Sequence, residues 1–134
     1  MAYDVPSAVG REPKHERLQA WLACHEVTLA VYRASREWPD DERQGLALQS
    51  RRAALGAAAS IAGGAARRGA RDFRHHLELA RAHLAELGYL LRLARELGYL
   101  PGERWGEVEA LRDHAGCLTG GLYHALGKQM APGR

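Results

Sequence analysis

Arginine is the residue whose number and spacing offer chemistry in this chain of 134 residues. The formal net charge is only +3, yet residues 51–81 hold seven arginines against two acidic residues, Asp72 and Glu78. A guanidinium group is planar and presents a fork of N–H donors that fits a phosphate group. A local excess of positive charge is typical of surfaces that bind nucleic acid or an acidic partner. We therefore predict that phosphates are contacted by six side chains: Arg51, Arg52, Arg67, Arg68, Arg71 and Arg74.

Two other interpretations of these arginines stay open. They are compatible with a solvated surface on which the arginine stems cover apolar atoms. They are also compatible with an adaptor or assembly protein, in which arginines pair with an acidic partner or with Asp40-Asp41-Glu42 of another subunit.

Histidine raises the alternative of a metal centre, because the chain has seven. A di-iron bundle needs Glu-x-x-His on two helices, and this sequence has that motif only at Glu12 to His15, before the first helical segment. His76 and His83 lie seven residues apart, on one face of a predicted helix. Hydrogen-bonded histidines at a helix contact are the simpler interpretation of this pair, so we expect neither a metal nor another cofactor.

Catalytic motifs are missing from the sequence. No serine lies in a Gly-x-Ser-x-Gly elbow, and neither Cys24 nor Cys117 has a histidine partner at a helix start. Two cysteines are too few for a disulfide framework, so we expect both to be reduced packing residues. The glycines of residues 63–69 lack a preceding strand and a following Lys-Ser/Thr, which excludes a nucleotide-binding loop. We expect no enzymatic activity.

Apolar residues recur with a helical period from about residue 17 onward, and no stretch alternates as a strand would. We expect a first helix that ends near Trp38, because Pro39 disfavours helix in the residue before it. Its predicted apolar stripe is Leu18, Trp21, Leu22, His25, Leu29 and Tyr32. A second helix should begin at Asp40 or Asp41 and end at Gly63-Gly64. Its stripe is Leu46, Ser50, Ala53, Ala57 and Ile61.

The third helix has the strongest pattern, a heptad stripe of apolar residues. This stripe is Phe73, Leu77, Ala80, Leu84, Leu87, Leu91 and Ala94. A second stripe widens the face that we expect to be buried: His76, Leu79, Leu90, Leu93 and Leu97. Gly98 and Pro101 should end this helix. A fourth helix is predicted over residues 103–126, with Val108, Leu111, Ala115, Leu118, Leu122 and Ala125 in heptad spacing.

Four helices with short connections predict an all-α fold, an antiparallel up-down-up-down four-helix bundle. We assign residues 1–16 to a flexible N-terminal arm, residues 17–128 to the bundle and residues 129–134 to a C-terminal tail. The first ten residues do not resemble a signal peptide. The longest uncharged run, residues 53–66, falls short of the roughly 18 residues that suggest a membrane span. We expect a cytoplasmic protein without a membrane anchor.

An ordered set of short motifs resembles the small bacterial four-helix bundle family named for proteins encoded in 23S rRNA intervening sequences. That family includes the accessory variability determinant of diversity-generating retroelements. The similarity runs from about Leu18 to Leu100 and fades in the fourth helix. The segments that carry it are residues 38–46, Arg51-Arg52-Ala53-Ala54, Ser60-Ile61-Ala62-Gly63-Gly64, Arg67-Arg68 and Asp72-Phe73.

The resemblance implies a non-enzymatic, cytoplasmic bundle that assembles as a ring-shaped homopentamer. It also implies that a basic surface binds nucleic acid, RNA or DNA, and that a retroelement reverse transcriptase is a partner. Three positions depart from the family pattern, since Ser60 replaces an asparagine, Gly63 replaces a glutamate and Gly56 follows Leu55 where the family has a serine. These changes leave the apolar stripes intact, and they thin a polar cluster at the end of the second helix.

Overall fold

Four helices make up the computed structural model, which describes residue 15 and residues 18–130. The helices are α1 (Gln19–Ser35), α2 (Leu46–Ala65), α3 (Ala70–Glu96) and α4 (Gly102–Gln129). A short 3-10 turn, Asp40–Glu42, precedes α2, and the described residues contain no strand. The all-α prediction is confirmed. The predicted arm, apart from His15, and residues 131–134 of the predicted tail lie outside the described residues.

The helices form a closed ring in which each packs against its two neighbours in chain order, with α4 against α1. Contacts between α3 and α4 pair the start of one helix with the end of the other. Arg74 meets Tyr123, while Arg95 near the end of α3 meets Trp105 near the start of α4. The other neighbouring helices pair in the same opposed sense, as Cys24 with Thr119 and Glu37 with Arg104 illustrate for α1 and α4. The bundle is therefore antiparallel and up-down-up-down, as predicted.

The start of the second helix lies later than predicted. Asp40 and Asp41 belong to the 3-10 turn, and α2 begins at Leu46. Glu42 links the two, because its Oε1 accepts a hydrogen bond from the Leu46 backbone N–H at 2.9 Å. Its other carboxylate oxygen accepts a hydrogen bond from the Tyr99 hydroxyl at 3.0 Å. Glu42 thus caps the first turn of α2, and it also ties the α1–α2 connection to the α3–α4 connection.

The end of α2 contradicts the prediction that Gly63-Gly64 terminates the helix. The helix continues to Ala65, and the chain reverses at Gly69, whose φ of 90° is readily adopted only by glycine. Gly64 is buried against α3, where an added Cβ would lie 2.6 Å from the His76 Cβ and 2.9 Å from Phe73 Cδ1. This glycine allows two helices to approach closely and does not break either one.

The two adjacent glycines allow a matched test of this interpretation. Gly63→Ala places a methyl group 3.7 Å from the His76 ring, an ordinary contact, and should raise the free energy of unfolding by about 0.5–1 kcal/mol through helix propensity. Gly64→Ala should lower it, because overpacking costs about 1–3 kcal/mol. Urea denaturation followed by circular dichroism measures both. Equal stability of the two variants would contradict the close approach at Gly64.

The core is built from small side chains on α1 and α2 and from leucines on α3. The predicted stripe of α2 and the heptad stripe of α3 are confirmed, with Ile61, Leu77 and Leu87 among the fully buried residues and only Phe73 half-buried. The predicted α1 stripe is wrong: Leu22 is 40% and Tyr32 is 37% exposed. The residues that α1 buries are Ala20, Ala23, Cys24, Val27, Thr28, Val31, Ala34 and Ser35. The narrow alanine-rich interior accepts small side chains, so the large ones lie at the surface.

The second predicted stripe of α3 and the end of the predicted stripe of α4 also differ from the structure. On α3, Leu79 is 40% and Leu97 is 50% exposed, while His76, Leu90 and Leu93 are only partly buried. On α4, Ala125 is exposed, and the next residue, Leu126, is buried in its place. A helix in a four-helix bundle buries one stripe of side chains fully, and it buries the adjacent stripe only in part.

Candidate nucleic-acid interface

Four of the six predicted arginines lie together at one end of the bundle. Arg67 and Arg68 belong to the connection between α2 and α3, while Arg71 and Arg74 lie in the first two turns of α3. We call these four residues the basic end. Asp72 is the only acidic residue between positions 66 and 77. The first turn of α3 adds backbone N–H groups without helical acceptors, which favour an anion at the same place.

Three side chains of the basic end are exposed and have no polar partner among the described residues. Arg67, Arg68 and Arg71 form no ion pair or hydrogen bond with any residue in the described part of the chain. Two arginines at the opposite end differ in this respect. Arg43 pairs with Asp40 at 3.2 Å, and Arg92 pairs with Glu96 at 2.8 Å. Three adjacent arginines of the basic end therefore keep their positive charge, whereas Arg43 and Arg92 are neutralised.

Arg74 also has a structural role. Its Nε donates a hydrogen bond to the Tyr123 carbonyl oxygen at 3.0 Å, and its Cζ lies 3.8 Å from the centroid of the Tyr123 ring. The side chain is half-buried between α3 and α4. It holds the end of α4 against the start of α3 and keeps its charge, because it has no carboxylate partner among the described residues.

Arg51 and Arg52 lie apart from the basic end, since 15 residues of mostly helical chain separate Arg52 from Arg67, which is a distance of about 20 Å along the helix axis. Arg51 faces α1: its Nε donates to Ser35 Oγ at 2.8 Å and its Cζ lies 4.9 Å from the Tyr32 ring centroid. Arg52 is exposed on the outer surface of α2. The six predicted residues thus divide into a cluster of four and a separate pair.

Sequence reasoning counted Arg81 in the basic segment but left it out of the six predicted contacts, and it missed Arg95 and Arg112; all three line the contact between α3 and α4. Arg81 and Arg95 are exposed residues of α3 whose guanidinium groups lie over aromatic rings of α4, and Arg112 of α4 reaches back to α3. A signal was present, because Arg74, Arg81 and Arg95 are separated by multiples of seven residues. Their partners Trp105 and Tyr123 become evident only once the antiparallel pairing is known.

His76 and His83 lie at a helix contact, as the simpler interpretation predicted. The His83 ring packs over Gly56 of α2, where an added Cβ would lie 2.9 Å from Nε2. The His76 ring lies beside Gly63 and Gly64, and its Nδ1 is 2.9 Å from the Asp72 carbonyl oxygen. Over residues 15 and 18–130, no three side chains of metal-binding type come close enough together to hold an ion.

The two cysteines are both free, and their surroundings differ. Cys24 is buried, with its sulfur 3.9 Å from Thr119 Oγ1, and burial raises the pKa of its thiol to about 11. Cys117 is exposed, so the prediction that it is a packing residue is wrong. The raised pKa of Cys24 is opposite to what a nucleophilic cysteine needs.

We expect one thiol per native chain to react with an aromatic disulfide reagent at pH 8. Only about one Cys24 in a thousand is a thiolate at that pH, because its pKa lies about three units higher. The absorbance of the aromatic thiolate that the reagent releases should show one rapidly reacting thiol per chain in buffer and two in urea. The Cys117→Ser variant should lose the fast equivalent, and rapid labelling of that variant in buffer would contradict the burial of Cys24.

An open groove of about 890 Å³ lies between α1 and α4. Ala30, Val108 and Leu111 supply its apolar surface, and its charged residues are Arg33, Glu103, Arg104 and Glu107. Among the described residues, no serine, cysteine or histidine lines this groove. Within residues 18–130, none of the helices combines the length and the hydrophobicity that crossing a bilayer requires.

Comparison with known proteins agrees with this architecture. A search of curated protein sequences finds no match. The sequence profile of the 23S rRNA-intervening sequence protein family matches residues 16–119, which include α1, α2, α3 and most of α4. The matched part holds all six predicted arginines together with Arg81, Arg95 and Arg112. This four-helix bundle therefore belongs to the 23S rRNA-intervening sequence protein family.

Proposed function

We propose that this protein is a non-enzymatic accessory protein that binds nucleic acid through phosphate contacts at its basic end. The observation that carries the proposal is the set of three exposed arginines, Arg67, Arg68 and Arg71, without partners in the described part of the chain. They lie beside the N-terminus of α3, which also favours phosphate. Phosphate contacts carry no base code, so binding should show little sequence preference.

Self-association is the second part of the proposal. Large apolar side chains are exposed on three of the four helices: Leu22, Tyr32, Leu55, Leu79, Tyr89 and Leu97. Where such side chains form a contiguous patch, they mark a surface that another protein covers. The family resemblance favours a homopentameric ring in the cytoplasm, and a retroelement reverse transcriptase as the partner that the bundle assists. A ring needs two different complementary surfaces on each subunit.

Fluorescence anisotropy over a salt series tests nucleic-acid binding. Labelled structured RNA and labelled duplex DNA are each titrated with the full chain at several salt concentrations. We expect saturable binding whose logarithm of affinity falls linearly with the logarithm of salt concentration, by about 0.9 per phosphate contact on duplex DNA. No binding at low salt would overturn the proposal.

The exposed apolar side chains also favour an alternative, an oligomeric adaptor that binds a protein partner without nucleic acid. Here the basic end would pair with an acidic protein surface. The gene neighbourhood distinguishes the two functions, because a reverse transcriptase with a template repeat beside this gene favours nucleic-acid binding. A chain that binds no RNA or DNA and still forms a stable assembly favours the adaptor.

A further inference from the structure

A line of guanidinium groups follows the contact between α3 and α4. On α3, residues 74, 81, 88 and 95 are seven apart and share one face of the helix. Three of them are arginines, and the fourth is Gly88. The Arg112 guanidinium from α4 lies against Gly88, where an added Cβ would be 2.7 Å from its Cζ. We call Arg74, Arg81, Arg95 and Arg112 the arginine row. At about 1.5 Å per residue, the row extends for about 30 Å.

Aromatic rings of α4 position three members of the row. The Cζ atoms of Arg74 and Arg81 lie 3.8 and 5.6 Å from the centroid of the Tyr123 ring. The Cζ of Arg95 lies 4.3 Å from the Trp105 ring centroid. Contact with a ring uses the flat face of a guanidinium and leaves N–H groups at its edge for another acceptor. These side chains are therefore oriented without losing their capacity to bind an anion.

The row keeps most of its charge. Arg112 is neutralised, since two of its nitrogens donate to the Glu109 carboxylate at 2.7 and 2.8 Å. Arg74, Arg81 and Arg95 have no carboxylate partner among residues 15 and 18–130. Three further carboxylates are nearby: Glu78 lies between Arg74 and Arg81 in α3, Asp113 lines a small cavity with Arg81 and Arg112, and Glu96 lines another with Arg95. None of these three carboxylates forms an ion pair with the row, so three positive charges stay open along the helix pair.

We infer that the arginine row is the path that a bound nucleic-acid backbone follows from the basic end along the α3–α4 side of the bundle. The inference rests on the proposed function, and it places the contacts beyond the basic end at Arg81 and Arg95, not at Arg51 and Arg52. The two surfaces are continuous, because Arg74 belongs to both. At 3.4 Å per base pair, 30 Å corresponds to roughly nine base pairs of duplex.

Two other surfaces of the bundle are less suited to a polyanion. In the groove between α1 and α4, the carboxylates of Glu26, Glu103 and Glu107 lie alongside two arginines, Arg33 and Arg104. On the outer surface of α2, Arg52 is near the exposed side chain of Leu55, which is 49% exposed. On either surface, the phosphate backbone of a nucleic acid would meet carboxylates or apolar groups. On the α3–α4 side it would meet a series of guanidinium groups that have no carboxylate partner.

The test compares the Arg81→Gln/Arg95→Gln variant with the wild-type chain on a labelled RNA hairpin that has a 12-base-pair stem. Because this variant removes two phosphate contacts, the salt slope should fall by about 1.4–1.8, and affinity at 0.1 M salt should fall roughly 25- to 60-fold. The matched control is Arg33→Gln/Arg36→Gln, which removes two exposed arginines of α1 and should change affinity less than about threefold. Circular dichroism confirms that each variant keeps its helices.

Two outcomes separate this inference from the proposed function. If the wild-type chain binds, changes at the basic end abolish binding and the Arg81→Gln/Arg95→Gln variant binds like wild type, the path is wrong while the proposed function stands. If the wild-type chain does not bind the hairpin, both fail. Should the loss of Arg95 from the Trp105 ring unfold the double variant, Arg81→Gln alone should lower affinity about five- to eightfold, and unchanged affinity would overturn the path.

Discussion

Replacing Arg67, Arg68 and Arg71 together with glutamate will lower affinity for structured RNA or duplex DNA at least 100-fold at 0.1 M salt. Each phosphate contact that is removed lowers the salt slope by about 0.7–0.9, which is a factor of about five to eight in affinity at this salt concentration. Removing three gives roughly 100- to 500-fold, and the introduced carboxylates add repulsion. Anisotropy titrations of wild type and variant over the same salt series measure both quantities.

The charge-reversal variant should fold normally, because all three side chains are exposed and make no contact that holds the helices together. Arg74 is left unchanged, since its hydrogen bond to Tyr123 supports the α3–α4 contact. A control that reverses Arg33, Arg36 and Arg43 near the opposite end changes the net charge equally. If that control weakens binding as much as the first variant does, net charge and not the basic end determines affinity.

Leu87→Ala will lower the free energy of unfolding by about 2–5 kcal/mol. Leu87 is fully buried at the centre of the α3 stripe. Alanines and other small side chains from α1 and α2 make up much of the core around it. Because such short side chains cannot rotate into the space that a missing leucine leaves, most of the cavity should remain. Urea denaturation at a protein concentration low enough to keep the chain monomeric measures the loss.

Leu79→Ala is the matched control, since it makes the same substitution on the same helix at a side chain that is 40% exposed. We expect it to lower the free energy of unfolding by less than about 1 kcal/mol. Equal losses for the two variants would mean that α3 turns a different face to the core. The pair therefore checks the orientation of α3, on which the arginine row depends.

The fold could be predicted from the sequence where side-chain size and periodicity agree. In α3 the leucines recur in heptads, and the stripe from Leu77 to Ala94 is buried as expected. In α1 the large apolar residues also recur at helical spacing, and yet the structure buries the alanines and valines beside them. Periodicity predicts that a segment is a helix. Which of two adjacent stripes of that helix is buried in the core depends on how closely the neighbouring helices approach.

The candidate site could be predicted only in part. Arg67, Arg68 and Arg71 are close in sequence, so a short connection is enough to bring them together. Arg51 and Arg52 belong to the same charged segment, and the length of α2 separates them from the others. Arg81 and Arg95 depend on rings that lie 42 and 10 residues further along the chain, and only the packed bundle places these rings beside them.

The histidines that pack over glycines have a consequence for the sliding of one helix along the other. The α2–α3 contact is rich in alanine, and a smooth surface of small side chains does little to oppose a shift along the helix axes. His83 over Gly56 and His76 beside Gly64 supply two fixed points. A shift of one helical turn would press each ring against a residue that has a Cβ. The glycines therefore lock the longitudinal register of α2 and α3, and α3 is the helix from which Arg74, Arg81 and Arg95 reach the rings of α4.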